Sequence, residues 1–149
     1  MDFATKFELS HLDLDILAWQ NADPPTRKPL QDSANKIDLF LKKEREWVIE
    51  GCYSDLLTIV LENASEIIFL NPGIEICISN CRKRPWEPHK YKSIEEQDNN
   101  LDTLVEWVKQ YPARNDEFSL VSHQKLFDEF RGKKTEYHSS NYSWHDSGC

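Results

Sequence analysis

The stretch from Glu66 to Tyr91 leaves the chain few folds to choose from. Glu66-Ile-Ile-Phe-Leu70 is a short apolar run that stops at Asn71-Pro-Gly73, a turn. Beyond the turn, Ile74, Cys77, Ile78 and Cys81 recur at i, i+3, i+4 and i+7, the stripe of an amphipathic helix. Arg82, Lys83 and Arg84 lie beyond the stripe, and Pro85-Trp-Glu-Pro-His-Lys-Tyr91 makes a basic, aromatic, proline-stiffened flap. A buried strand followed at once by a helix fits an α/β chain with a parallel sheet covered by helices on both faces.

The remaining segments repeat this grammar. Met1 to Leu9 has the spacing of one or two helical turns, and His11-Leu-Asp-Leu-Asp15 alternates like a short strand. Ile16 to Trp19 predicts a helical turn, and Asn21 to Pro29, with three prolines, predicts a loop. Leu30, Ala34, Ile37 and Leu41 predict a helix, Trp47-Val-Ile-Glu-Gly51 a buried strand with a tight turn, and Leu56, Leu57, Val60 and Leu61 the next helix. Ser93 and Glu96 resemble a capping box for a long helix through Leu101, Leu104, Val105 and Val108. A helix around Ser119 to Phe130 stops at Gly132, and Lys133 to Tyr137 reads as a last strand. Residues 1–137 form one expected domain, and the Ser-rich, non-periodic 138–149 reads as a flexible tail.

Composition narrows the function classes. A formal net charge of -8 opposes binding to nucleic acid, which needs a surface that replaces condensed cations. No run is long enough to span a bilayer and the N-terminus lacks a secretory layout, so a cytoplasmic protein without membrane partners is expected. Cys77 and Cys81 fall within a helical apolar stripe, which favours reduced core thiols over a disulfide or metal pair.

The order His11-Leu-Asp-Leu-Asp15, Trp47-Val-Ile-Glu-Gly51, Ile67-Ile-Phe-Leu-Asn71, and then an arginine-bearing helix end with the flap Arg84-Pro-Trp-Glu-Pro-His-Lys-Tyr91, resembles the P-loop small-molecule kinases. The nearest group is the shikimate-kinase and adenylate-kinase-like set with its bacterial relatives, and nearly the whole chain, residues 3 to 137, takes part. The resemblance implies a P-loop NTPase fold, ATP and Mg as cofactors, and transfer of a phosphate to a small metabolite or nucleotide. One departure is large. The Gly-x-x-x-x-Gly-Lys-Ser/Thr loop that wraps phosphates is missing, and the four glycines are Gly51, Gly73, Gly132 and Gly148. The chain therefore reads as N-terminally truncated and inactive as it stands.

In that family the missing first strand is central, between the strands represented by Trp47 to Gly51 and Glu66 to Leu70. Its loss strips partners from two interior edges, at about 1 to 3 kcal/mol for each dry unsatisfied group. The expected outcomes are a start further upstream, strands that close on one another, or another chain in the slot, which includes self-association. A non-catalytic remnant or protein-interaction module is the alternative function.

The resemblance also assigns residues, each with a plainer alternative. Asp13 would hold a magnesium-bound water and Asp15 a substrate hydroxyl, or both are strand-end carboxylates and helix caps. Gly51 would let substrate approach the backbone, or it makes a turn. Arg82 and Arg84 open a lid over about residues 82–92 and would stabilise charge on the transferred phosphoryl group, or they offset a helix dipole. Arg114 would reach the phosphate or substrate, or it pairs with Asp116. Trp86, His89, Lys90 and Tyr91 would touch a ring or a phosphate, or seat the flap.

Overall fold

The structure, a computed structural model, describes residues 7–138. Most of the expected N-terminal helical turns and all but the first residue of the expected tail lie outside that range. In chain order the elements are β1 (Ser10–Asp13), α1 (Asp15–Ala18), β2 (Trp19–Gln20), β3 (Thr26–Arg27), α2 (Leu30–Lys43), β4 (Trp47–Glu50) and α3 (Ser54–Leu61). They continue with β5 (Glu66–Leu70), α4 (Ile74–Lys83), α5 (Ile94–Lys109), α6 (Leu120–Glu129) and β6 (Lys133–Tyr137).

Local chemistry accounts for these bounds. Pro29 opens α2 with a preset φ, and Lys42 and Lys43 close it where cations offset the helix dipole. Ser93 Oγ accepts the Glu96 N–H of α5 at 3.1 Å, while Glu96 reaches back to the Lys92 N–H at 2.7 Å. Ser119 caps α6 in the same way through the Ser122 N–H. The segment expected as a loop, 21–29, contains half of a two-residue hairpin, in which β2 and β3 pair antiparallel.

The molecule is mixed α/β, but the strands do not form one sheet. β1 pairs parallel with β4, from Ser10 opposite Trp47 to Asp13 opposite Glu50. β5 pairs parallel with β6, from Glu66 opposite Lys133 to Leu70 opposite Tyr137. The expected continuous parallel sheet is thus corrected to two separate two-stranded sheets, because no ladder joins β4 to β5.

The buried apolar side chains form two clusters. Leu12, Leu14, Ala18, Ile37, Tyr53, Leu56 and Val60 pack around β1, β4 and helices α1 to α3. Leu14, Ile37 and Leu56 have no exposure at all, and burying each contributes roughly 1.5–3 kcal/mol. The other cluster, Ile78, Cys81, Val105 and Val108, seals α4 against α5. No helix among the described residues is long and apolar enough to cross a membrane.

A candidate site at the strand ends of an open cavity

Between the two sheets lies a cavity of about 1990 Å³, walled by every residue of β4 and β5. Ligands of open α/β sheets gather at the carboxyl ends of the strands. At that end of β1 and β4 the cavity is lined by Asp13, Asp15, Glu50 and Tyr53, and the flap adds Arg84, Glu87 and Lys90.

The turn between β1 and α1 sets the carboxylates. Asp13 ends the strand and Asp15 begins the helix, so the alternation that would have put both on one strand face is broken. Asp13 Oδ1 accepts the Asp15 N–H at 2.9 Å, the local capping role of a strand-end carboxylate. Burial, followed by the charges of Asp15 and Glu50, holds Asp13 above the ordinary carboxylate value; the Asp15 N–H and Lys90 pull the other way. Asp15 receives the Tyr53 hydroxyl on Oδ1, and Lys90 Nζ stands 3.6 Å from its Oδ2. Lys90 also lies 3.5 Å from Glu87 within the flap.

Tyr53 links this corner to the core. Its hydroxyl donates to Asp15 and accepts the Trp19 indole N–H at 2.8 Å. Burial and the bond to Asp15 both raise its pKa, so it stays a phenol and a donor. Arg27 Nη1 is 3.0 Å from Glu117 and Nη2 is 3.0 Å from Asp55, while its guanidinium lies 4.9 Å from the Tyr53 ring centre. The hairpin thereby positions the Tyr53 pair from behind.

A second polar group lines the cavity from α6. His123 shares hydrogen bonds with the Cys52 carbonyl at 2.7 Å and the Tyr111 hydroxyl at 2.8 Å. Burial lowers the His123 pKa, keeping the ring neutral between these partners. Burial pushes the Cys52 thiol up to about 12, which leaves it protonated and a poor nucleophile. No disulfide joins Cys52, Cys77 or Cys81.

The expected site residues divide. Asp13, Asp15, Gly51 and Arg84 line the cavity; Arg82 and Arg114 do not. Arg82 is exposed in the last turn of α4, where it completes the helix dipole. Arg114 is held by Asp116 through Nε at 2.8 Å and lies 4.8 Å over the Trp107 ring, away from the cavity lining. Its bonds in turn hold Asp116 below the ordinary carboxylate range. Gly51 is accounted for by packing, since a Cβ there would sit 2.9 Å from Leu14 Cβ. Sequence reasoning gave Tyr53, Trp19 and Arg27 no role, because their partners lie 28 to 90 residues away.

No family model, curated protein or solved structure matches this chain.

The donor set tests the cofactors that the kinase resemblance implies. Magnesium at such sites needs one or two carboxylates plus waters and phosphate oxygens. Asp13 has one oxygen engaged by the Asp15 N–H and Asp15 has one engaged by the Tyr53 hydroxyl, so a magnesium ion here would rest on the two remaining carboxylate oxygens with water and substrate completing its shell. For the phosphates of ATP the chain has no glycine-rich loop; Gly51 is crowded by Leu14 and Gly132 by Phe130 and the Ser65 carbonyl, while Gly73, at the start of α4, stands open on the cavity. What remains is a corner of carboxylates, one of them bridged by the Tyr53 phenol and the flap cation Lys90.

Proposed function

We propose that this chain is the acceptor-binding and lid portion of a P-loop-kinase-like domain. By resemblance its substrate is a small hydroxyl-bearing metabolite or nucleotide, and by itself it does not transfer phosphate. The observation that carries this reading is the meeting of Asp13 and Asp15 with Lys90 of the flap at the carboxyl ends of β1 and β4. In this reading Asp15 orients the acceptor hydroxyl, Tyr53 fixes the carboxylate, and Lys90 is the cation delivered by the flap; Arg84 stands at the flap root. Arg82 and Arg114 have no part in it.

Calorimetry with ATP and magnesium, alongside thermal shift with shikimate, gluconate and nucleoside monophosphates, tests the proposal. One acceptor class is expected to raise the melting temperature of the wild type and not of Asp15→Asn, with no micromolar heat from ATP. Micromolar ATP binding, or no response to any acceptor, would overturn it. The unpaired edges of β4 and β5 favour a second reading, a protein-interaction module.

A further inference from the structure

The main chain around the cavity has a directional pattern. The Ser10 N–H donates to the Glu46 carbonyl at 3.0 Å and the Leu14 N–H to the Glu50 carbonyl at 2.9 Å, so the even-numbered residues of β4 turn their amides toward β1. Alternation then puts the N–H and C=O of Trp47 and Ile49 on the opposite edge. On β5, the Asn71 N–H donates to the Tyr137 carbonyl at 2.8 Å, which turns Ile67 and Phe69 toward β6 and Ile68 and Leu70 away from it. Trp47, Ile49, Ile68 and Leu70 all line the cavity, and no described residue bonds to these four main-chain edges. Two rows of alternating donors and acceptors border one space.

Size and lining narrow the occupant. Small-molecule sites occupy roughly 300–1,000 Å³, and this cavity holds about 1990 Å³. Leu57 and Leu61 of α3, Ile74 and Cys77 of α4, and Leu101 and Leu104 of α5 also line it. A segment lying between them would meet apolar side chains, as a strand buried in a parallel sheet does. At the end of the space near Asp13, four carboxylates (Asp13, Asp15, Glu50 and Glu87) face two cations, Arg84 and Lys90, an excess of negative charge.

We propose that this cavity accepts a β-strand from another polypeptide: about five residues, apolar on both faces, ending in Lys or Arg against the acidic corner. The length matches the five residues of β5. Pairing on both sides would join the two small sheets into one of five strands. The inference rests on the main-chain edges and does not depend on the phosphotransferase reading.

The probe is the peptide acetyl-Val-Val-Ile-Val-Val-Gly-Lys-Lys-amide added to the full chain, with hydrogen exchange and calorimetry as readouts. Amide exchange at Trp47, Ile49, Ile68 and Leu70 is expected to slow at least tenfold. The same peptide N-methylated at alternate residues, or ending in Glu-Glu, is expected to bind at least tenfold more weakly. Ile49→Pro removes a donor on the cavity edge without touching the β1 ladder, and it is expected to lose the peptide while keeping its circular dichroism. If that variant does not fold, the N-methylated peptide decides the matter on the unaltered protein. Equal binding of the N-methylated peptide, unchanged exchange at the four amides, or a dimer already protected there without peptide would overturn the proposal.

Discussion

Tyr53 stands between two side chains that come from 34 and 38 residues earlier in the chain, Trp19 and Asp15. Tyr53→Phe keeps the ring and removes both bonds, leaving the indole N–H and one carboxylate oxygen without their partner. The expected loss is about 1–3 kcal/mol, read from the urea midpoint. His123 acts through pH. Its pKa is lowered in the folded chain, so the unfolded chain takes up the proton first. Its contribution to stability is present above the unfolded value of about 6.5 and is lost as pH falls from there toward the folded value. Urea midpoints measured between pH 7.5 and 5 are expected to fall in the wild type, and the slope is expected to flatten in His123→Gln. Asp13 has the opposite sign in a lower window. Its raised carboxyl adds stability below the unfolded value of 3.8, and that contribution is lost as pH rises through the folded one.

At the scale of elements, the turn after β4 packs closely against the turn after β1. Gly51 has φ +154°, and a Cβ there would meet Leu14 Cβ at 2.9 Å. Gly51→Ala is expected to cost about 1–3 kcal/mol. Leu14→Ala keeps the Cβ at 2.9 Å and removes only Cδ1 and Cγ at 3.2 and 3.3 Å, so in that background Gly51→Ala should cost nearly as much, which a double-mutant cycle measures. Much at this scale was legible in the sequence. The stripe Ile74, Cys77, Ile78 and Cys81 marks α4, the Ser93 cap marks the start of α5, and Lys133 to Tyr137 is β6. These signals are local, carried by spacing of three or four residues. Pairing is not local: β6 meets β5 from 67 residues away, and no periodicity announces that β4 and β5 stay apart. The hairpin of β2 and β3 was invisible because two-residue strands have no period to read. Asp13 and Asp15 were found by alternation, although a strand end and a helix start hold them. Arg114 carried its own explanation two residues on, in Asp116.

The whole molecule has two cores of unequal weight on either side of the cavity. The larger has four aliphatic residues with no exposure, Leu14, Ala18, Ile37 and Leu56, while every residue of the smaller keeps some. Native-state hydrogen exchange is therefore expected to show α4 and α5 opening at lower free energy than β1, β4 and α3; equal protection would refute the division. The flap belongs to the lighter half. The Gln97 amide of α5 holds it at two points, donating to the Pro85 carbonyl at 3.1 Å and accepting the Glu87 N–H at 2.8 Å. The flap is thus hinged to a sixteen-residue helix and does not hang from the end of α4 as a loose loop. A tilt of α5 that carried the flap away from Asp15 would also shift Trp107, ten residues along the same rod from Gln97, against Arg114. The indole of Trp107 is therefore placed to report such a tilt.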